Sequence, residues 1–337
     1  MRQLRVGIIG LGVGERHIGG FRRHPSVEVA MVCDIDAEAR RRVTRVYPEL
    51  AVIEDANALI DDPAIDVVSI ASYDSDHFGQ VIRALANGKH VFVEKPLCTR
   101  IDEFREIRRQ LVDQPHLRLS SNTILRLAPR FQELRAMIVA GTFGRLYNIE
   151  GDYLYGRLAK LTEGWRGRSA NYSVTLGGAI HVIDLMLWLT GERVTQVVAQ
   201  GNGIASSGSQ FRGNDMVSAL LTFESGMIGK VSANFGSVYP HFHRLALFGT
   251  GATFENRPES GLIWESRDPV VAPRVLTTAY PGVDKGDLIP SFVDAVLGKG
   301  TAAVTEDEVL AAMAVGLAVD RSLSEGGVVK IAEIYGG

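Results

Sequence analysis

The stretch that decides the fold is LRVGIIGLGVGERHIGGFRR, residues 4–23. A short apolar run typical of a buried strand, Arg5 to Ile9, leads into a glycine-rich turn. A helical pattern follows from Glu15 to Arg23. The turn itself contains Gly10, Gly12, Val13 and Gly14. Between a strand and a helix, such a turn presents backbone N–H groups that can bind a phosphate.

The alternation of strand and helix patterns continues over the first third of the chain. Strand patterns occur at residues 27–33, 66–71 and 90–93, and helix patterns at 36–46, 78–86 and 101–111. Continuous apolar strands separated by helices predict a parallel sheet covered on both faces. With right-handed crossovers, this is a doubly wound α/β fold. We expect a Rossmann nucleotide-binding domain over residues 1–122.

After residue 122 the pattern changes. Helices are predicted at 128–139 and 178–189, followed by strands at 194–200, 216–223, 227–235 and 243–248 without helices between them. Two late helices are predicted at 289–297 and 306–323. Consecutive strands favour an antiparallel sheet. We therefore expect an α+β domain over residues 123–337, with a large, mostly antiparallel sheet, for substrate binding and oligomerisation.

An acidic residue at the end of the second strand suggests which nucleotide binds. Asp34 lies 22 residues beyond Gly12, which is near the spacing of a carboxylate that binds the ribose 2′-OH. It would repel a 2′-phosphate, so the sequence favours NAD over NADP. Asp36 more plausibly caps the next helix. The third glycine comes one residue early, at Gly14, and Glu15 takes the regular position.

Composition excludes several classes of protein. The 337 residues are 46% hydrophobic with a net charge of −3, so we expect no nucleic-acid partner. No stretch of about 18 uninterrupted apolar residues is present, so we expect no membrane span. The N-terminal apolar run is short and broken by glycine, unlike a signal peptide. The two cysteines, Cys33 and Cys98, suit buried positions in a reducing compartment, and we expect a cytoplasmic protein.

A lysine follows the strand at residues 90–93. Lys95 would lie at the carboxyl end of a parallel strand, where open α/β sheets bind their ligands. A buried lysine beside a carboxylate can titrate near neutrality or polarise a substrate oxygen. The alternative is a simple surface ion pair with Glu94.

A histidine and an aspartate interrupt the apolar helix pattern at 178–189. His181 and Asp184 are three residues apart and share one face of the helix. A His–Asp pair facing a cleft can move a proton, with Asp184 orienting or charge-balancing His181. The alternative is a satisfied structural pair in the core.

Several aromatic and basic residues are candidates for a substrate pocket. They are Tyr153, Tyr155, Arg157, Trp165, Arg166, His241 and His243. His241 and His243 would point the same way in a strand and could chelate a metal. No third ligand accompanies them, so we expect no metal site.

Two motifs, GKHVFVEKPL at 88–97 and GAIHVIDLMLWLTG at 178–191, resemble the Gfo/Idh/MocA family of sugar and cyclitol oxidoreductases. The resemblance covers nearly the whole chain. It also includes the GxGxG turn, His17, His77, Asn122 with Arg126, and the Trp165–Arg166 pair. It departs from the family at Gly177, where many members carry an aspartate four residues before the histidine.

The resemblance implies NAD contacts at Ser72, His77, Glu94, Lys95 and Pro96, with a cis bond before Pro96. It implies substrate contacts at Lys95, Asn122, Arg126, Tyr155, Trp165, Arg166, His181 and His241. The function implied is NAD-dependent hydride transfer on a sugar, cyclitol or sugar nucleotide, with Lys95, His181 and Asp184 as catalytic residues. The alternatives are an NAD-dependent glycosidase that oxidises its substrate transiently and a non-catalytic dinucleotide sensor.

The second sheet is expected to mediate assembly. Val217, Ala219, Leu221 and Phe223 form one apolar face of a strand, and Met216, Ser218, Leu220 and Thr222 form the other. A face of small and moderately polar residues suits a subunit contact better than open solvent. Family members commonly pair through this sheet, so we expect a homodimer or a homotetramer of such dimers.

Overall fold

A computed structural model describes residues 2–169 and 172–337. The chain forms two compact units. The first consists of Met1–Ile124 with Asp284–Leu310, and the second of Leu125–Val283 with Ala311–Gly337. The segment from 284 to 310 thus groups with the first unit, although the sequence led us to expect a single division after residue 122.

The first unit contains a parallel six-stranded sheet. Its strands are β1 (Leu4–Ile9), β2 (Val27–Cys33), β3 (Ala51–Ile53), β4 (Val67–Ile70), β5 (His90–Val93) and β6 (Leu119–Ser121). The helices between them are α1 (Gly14–Arg22), α2 (Ala37–Val46), α3 (Ala56–Asp61), α4 (Asp74–Ala86) and α5 (Ile101–Asp113). The strand order is β3-β2-β1-β4-β5-β6, which confirms the doubly wound Rossmann fold.

The second unit contains a nine-stranded sheet. Its strands are β7 (Leu146–Leu154), β8 (Val194–Asn202), β9 (Met216–Phe223), β10 (Ile228–Asn234), β11 (Phe242–Gly249), β12 (Thr253–Asn256), β13 (Gly261–Trp264), β14 (Arg274–Leu276) and β15 (Val328–Lys330). The helices are α6 (Pro129–Val139), α7 (Leu158–Thr162), α8 (Trp165–Arg168) and α9 (Ile180–Thr190). The order is β14-β13-β12-β11-β7-β10-β9-β8-β15, and β7 pairs in parallel with β10. The other neighbouring strands of this sheet pair in the antiparallel sense within the described residues, as expected.

The central strand β7 does not look like a core strand in the sequence. Its Asp152 is charged but buried, because Lys230 Nζ lies 2.8 Å and Arg244 Nη1 2.6 Å from the carboxylate oxygens. On the opposite face, a Cβ at Gly151 would come within 2.2 Å of Val182 Cγ1. The absence of that Cβ allows α9 to lie close against the sheet.

Helix α9 is apolar on nearly every side and is buried accordingly. A π-helical turn, Thr175–Ala179, precedes it, and Gly191 ends it in the left-handed region with φ +68°. This burial fixes the positions of His181 and Asp184 within the second unit. No helix in the described part of the chain is both long and apolar enough to cross a membrane.

The chain then returns to the first unit through α10 (Ile289–Val296). Phe292 of this helix packs on Phe92 of β5, with ring centroids 5.5 Å apart. A Cβ at Gly20 of α1 would lie 2.8 Å from the carbonyl oxygen of Gly286. These contacts join residues at least 200 positions apart, which is why the strand–helix pattern of the first third does not reveal them.

The last long helix, α11 (Glu306–Glu325), is followed by β15 and α12 (Ile331–Tyr335). Asp320 of α11 accepts a hydrogen bond from the Ser173 hydroxyl at 2.9 Å, just before the π-helical turn. Burial raises the pKa of Asp320 from its ordinary value of 3.8 to about 6, although Ser173 and Thr175 act in the opposite direction. The ionised carboxylate is therefore destabilising in the folded state.

We predict that Asp320→Asn raises the melting temperature at pH 8 and loses this effect near pH 4. The folded-state pKa is raised, so the cost of the charge grows as pH rises through the window from 3.8 to about 6 and is complete above it. One pKa unit corresponds to about 1.4 kcal/mol, so a gain of a few degrees is expected. Thermal unfolding measures it, with the exposed Asp268→Asn as control. An equal shift at both pH values would contradict the assignment.

Candidate active site

The three glycines after β1 have three different roles. Gly10 has φ +86°, and a Cβ there would lie 2.2 Å from the Ala71 carbonyl oxygen. Gly14 packs α1 closely, since its Cβ would lie 3.1 Å from Ile8. At Gly12 no described atom lies within 4 Å of the Cβ position, which leaves room for a ligand against the backbone. The early third glycine therefore still provides close helix–strand packing.

Asp34 is held by backbone amides at the end of β2. Its Oδ2 accepts from Leu11 N at 2.6 Å and its Oδ1 from Asp36 N at 2.8 Å. Asp36 itself caps α2 by accepting from Glu38 N at 2.9 Å, as predicted. Each carboxylate oxygen can accept more than one hydrogen bond, so the fixed Asp34 carboxylate can still bind a ribose hydroxyl.

Glu94 is the centre of a buried polar network at the end of β5. Its Oε1 accepts from Asn122 Nδ2 at 2.7 Å and lies 3.4 Å from His17 Nε2. The other ring nitrogen of His17 lies 2.9 Å from Ser69 Oγ. Asn122 Nδ2 is also 2.9 Å from the Lys285 carbonyl oxygen. The network joins α1, β4, β5, β6 and the segment that returns to this unit.

The charge of Glu94 is stabilised by surrounding cations. Burial alone would raise the pKa of Glu94, but Lys285, His17 and Lys95 outweigh it and hold this pKa well below its usual range. Glu94 is therefore a permanent anion rather than a proton carrier. Lys95 follows it directly, and the Lys95–Pro96 bond is cis, as the resemblance implied.

Two features of the first unit fit a bound dinucleotide. One is the open space at Gly12. The other is Asn122 Oδ1, which is buried and has no hydrogen-bond partner among the described residues. A buried acceptor without a partner is costly, so a ligand N–H or O–H is the natural group to satisfy it.

His77, expected to contact NAD, holds two loops of the protein together. Its Nδ1 lies 2.6 Å from the Pro96 carbonyl oxygen and its Nε2 3.2 Å from that of Ser72. The Ser72 hydroxyl donates to Gln80 Oε1 at 2.8 Å. The structure thus places His77, Ser72 and Pro96 together, with the histidine ring bridging the loops after β4 and β5.

In the second unit, Arg126 and Asp184 form a buried ion pair. Arg126 Nε donates to Oδ2 at 2.8 Å and Nη2 donates to Oδ1 at 2.7 Å. The side chains are 2% and 0% exposed. Arg126 was expected to bind substrate and Asp184 to assist His181. The structure brings the two residues together, and their ion pair fastens α9 to the 3₁₀ turn at Ile124–Leu127.

His181 lies against a cluster of aromatic rings. Tyr153 stacks on it with centroids 6.2 Å apart and planes 17° apart, and the ring of His243 is 6.3 Å away. Gly178 permits this arrangement, since a Cβ there would lie 2.7 Å from the Tyr153 ring. Burial raises the pKa of Tyr153, so its phenol is neutral at physiological pH.

The two histidines around β11 differ in their surroundings. His243 is buried, with Nδ1 2.6 Å from Tyr280 Oη, whereas His241 is exposed. His241 packs edge-on against Tyr153 and Tyr155, with centroids 5.2 and 5.6 Å apart. Within residues 2–169 and 172–337, no group of three or more His, Cys, Asp or Glu side chains is arranged to hold a metal.

Trp165 and Arg166 lie at the start of the short helix α8. The Arg166 guanidinium lies over the Trp165 ring at 4.6 Å and over Tyr172 at 5.6 Å. Its Nε donates to Tyr172 Oη at 3.0 Å. Two predicted pocket residues are thus brought together with a third, Tyr172, that the sequence did not single out.

Sequence reasoning missed several residues of these clusters. Lys285 is distant in sequence from Glu94, and Tyr280 is 37 positions from His243. Neither belongs to a local motif, so no spacing could have indicated them. For Tyr172 a signal was available in Gly177, since a glycine in a buried helical segment often marks a close contact.

Comparison with known proteins identifies both units. Residues 4–122 match the NAD-binding Rossmann fold of the Gfo/Idh/MocA oxidoreductase family, and residues 131–255 match the C-terminal domain of the same family. Together the two matches span most of the chain.

Individual relatives are more distant. A scyllo-inositol 2-dehydrogenase (NAD(+)) of Bacillus subtilis is 27% identical over 258 residues, covering 74% of this chain and 72% of that protein. A myo-inositol 2-dehydrogenase of Thermotoga maritima is 24% identical and covers 99% of this chain and 100% of its own. The crystal structure of scyllo-inositol dehydrogenase from Lactobacillus casei, with NAD(H) and scyllo-inositol, has a TM-score of 0.80 at 19% identity and covers 98% of this chain and 100% of its own.

The glycine turn yields a matched pair of predictions. Gly12→Ala should weaken NAD binding and leave the melting temperature nearly unchanged, because its Cβ would enter the ligand space and no protein atom. Gly10→Ala should lower the free energy of unfolding by at least about 1–3 kcal/mol, because both φ and the Ala71 carbonyl oppose a Cβ. Calorimetric titration with NAD and thermal unfolding measure the two effects. Normal NAD affinity in Gly12→Ala would place the nucleotide elsewhere.

Proposed function

We propose that this chain, which belongs to the Gfo/Idh/MocA family of oxidoreductases, transfers a hydride between NAD and a hydroxyl-bearing carbon of a cyclitol, sugar or sugar nucleotide. The protein is an NAD-dependent dehydrogenase that acts on CH–OH groups. The finer assignment rests mainly on one observation: polar groups suited to proton transfer follow the Rossmann strand β5 and begin the buried helix α9.

NAD, when bound, accepts or returns the hydride. The protein must then bind the substrate and move one proton. In the oxidation direction, the substrate hydroxyl gives its proton to His181 or Lys95. A positioned acid–base group of this kind is worth roughly 10²–10⁴-fold in rate.

The surroundings of Lys95 and His181 support these roles. Lys95 directly follows Glu94, and the negative charge of Glu94 favours the ammonium form of the lysine. The positive charge of this ammonium group can polarise a substrate oxygen. His181 stacks on Tyr153 with ring centroids 6.2 Å apart, and the helix that carries it is buried. Asp184 is neutralised by Arg126, so we assign it a positioning role rather than proton transfer.

The aromatic residues beside His181 support the proposed substrate class. Tyr153, Tyr155 and His241 present ring faces and edges to one another. Aromatic rings suit the C–H faces of a cyclic polyol, and the neighbouring imidazoles suit its hydroxyls. Relatives named as inositol dehydrogenases point to the same class.

A screen for NADH formation with cyclitols, aldoses and nucleotide sugars tests the function. Lys95→Ala and His181→Ala should each lower kcat by roughly 10²–10⁴-fold. NAD affinity by calorimetry should be largely retained, because both variants leave the glycine turn and Asp34 intact. His116→Ala, outside both clusters, is the matched control. Full activity in either of the first two variants would remove that residue from the mechanism, and no turnover of any polyol would contradict the proposed function.

A second copy of the chain is proposed to cover the outer face of the second sheet. Leu220 and Ile228 are 53% and 52% exposed on this face. Beside them Lys230, Arg244 and Asp152 form a charged cluster in which both signs are present. A two-fold contact brings such a face against itself, so that apolar and oppositely charged groups can meet. The homodimer, or a tetramer of such dimers, is inferred from these features.

Leu220→Arg should convert this assembly to a monomer of 36.6 kDa, because it places an unpaired charge in the contact. Light scattering at micromolar protein should give at least twice that mass for the wild type. Val139→Arg, at an exposed site 72% accessible at the end of α6, should leave the assembly unchanged. A monomeric wild type, or an unchanged mass for Leu220→Arg, would refute this interface.

We also infer a reducing compartment, the cytoplasm, for this activity. Cys33 and Cys98 are buried free thiols. Burial, reinforced by the nearby Asp34, raises the pKa of Cys33 to about 12, so this residue stays a protonated thiol. Both behave as small core residues, as predicted.

A further inference from the structure

Two glycines precede His181 by three and four residues, and each faces a tyrosine. A Cβ at Gly178 would lie 2.7 Å from the Tyr153 ring. A Cβ at Gly177 would lie 2.0 Å from Tyr172 Oη and 2.5 Å from its Cζ. Contacts below 3 Å cannot be accommodated without movement, so Tyr172 in its present position excludes any side chain at residue 177.

The phenol of Tyr172 is fixed by its neighbours. Its ring lies edge-on to Trp165 and to Phe235, with centroids 5.7 and 6.2 Å apart. The following residue, Ser173, is tied to Asp320 at 2.9 Å. Tyr172 is 9% exposed, so its hydroxyl is held in a largely buried setting.

The contact with Arg166 determines whether the Tyr172 hydroxyl donates or accepts a hydrogen bond on each side. Its Nε donates to Tyr172 Oη at 3.0 Å, so the phenol oxygen is an acceptor toward the guanidinium. A hydroxyl that accepts from a cation becomes a better donor through its own proton, because hydrogen bonds in a chain polarise one another. Tyr172 is therefore prepared to donate to a partner that gains negative charge.

The helix places this hydroxyl near His181. Gly177 and His181 are four residues apart in the continuous helical segment formed by Thr175–Ala179 and Ile180–Thr190. Residues at this spacing lie about one turn apart on one face. Since Tyr172 Oη lies 2.0 Å from the Cβ position of residue 177, it is about one helical turn from His181.

We propose that Tyr172 is a catalytic residue of this chain. Its Oη–H donates a hydrogen bond to the substrate oxygen as that oxygen loses its proton to the acid–base group, and Tyr172 keeps its own proton throughout. This rests on the proposed function and adds an oxyanion-type donor to it. Tyr172 with Gly177 then takes the place of the aspartate that many similar proteins carry at the latter position.

Tyr172→Phe is the first test, since it keeps the ring against Trp165 and Phe235 and removes only the hydroxyl. We expect kcat to fall by about 10²-fold, as for loss of one such donor, with the melting temperature and NAD affinity unchanged. The control is Tyr47→Phe, at the residue that ends helix α2 in the first unit, and it should keep the wild-type kcat. Wild-type kcat in Tyr172→Phe would overturn the proposal while leaving the proposed function intact.

A pair of substitutions, at Tyr172 and at Gly177, distinguishes a catalytic role of Tyr172 from structural support of the π-helical turn. Tyr172→Ala frees the space in front of Gly177, and Gly177→Asp in that background supplies a carboxylate there. The double variant should regain about tenfold in kcat over Tyr172→Ala and lose this regain as the pH rises through the pKa of the new carboxyl group, because only the protonated carboxyl can donate a hydrogen bond to the substrate oxygen. No regain, or a regain with an unchanged pH profile, would mean that Tyr172 only supports the turn. A wild type that oxidises no polyol would refute both this role and the proposed function.

Discussion

Buried charge that must be neutralised is the constraint on which both halves of this protein depend. Glu94 and Asp184 are carboxylates removed from water, and an uncompensated buried charge costs several kcal/mol. Around Glu94 the chain assembles His17, Asn122 and Lys285, from a helix, a strand end and a distant segment. Around Asp184 it places the two nitrogens of one guanidinium. The positions of α1 and α9 follow from these requirements.

This constraint also separates structural groups from reactive ones. A carboxylate paired with a rigid cation or hydrogen-bond donor is a poor proton carrier, because protonation of the carboxylate would break this pairing. We therefore propose structural roles for Glu94 and Asp184. Lys95 directly follows Glu94, and His181 lies in the same helix as Asp184, so each matched charge helps to fix the backbone that carries a proposed acid–base group. Reactive groups keep a fixed geometry when the charges and hydrogen bonds of their neighbours are already paired.

Most of the fold was predictable because its signals are local. The apolar run before Gly10 and the acid at Asp34 are close in sequence, and periodicity alone indicated the strand–helix alternation. The strand β7 escaped prediction because Asp152 is charged yet buried by ion pairs with two other strands. Burial of a charge depends on tertiary partners, which no periodicity reports.

The candidate site was predictable to the extent that its motifs are contiguous. Lys95 and His181 stand in recognisable stretches, and the structure holds each at the end or start of a regular element. The contact of Asp184 with Arg126 was not predictable from helical spacing, because the two residues are 58 positions apart in the sequence. Lys285 and Tyr280 act through contacts between distant segments, for which a single sequence carries no signal.

The return of residues 284–310 to the first unit has a consequence for how this chain can be divided. The polypeptide passes between its two units at three places, so the nucleotide-binding half is not a contiguous cassette. A gene fragment ending near residue 124 would encode all six strands of the parallel sheet but lack the cation that offsets Glu94 and the helix that packs on Phe92. Recombination between family members therefore has to exchange two separate pieces of coding sequence to transplant this half intact.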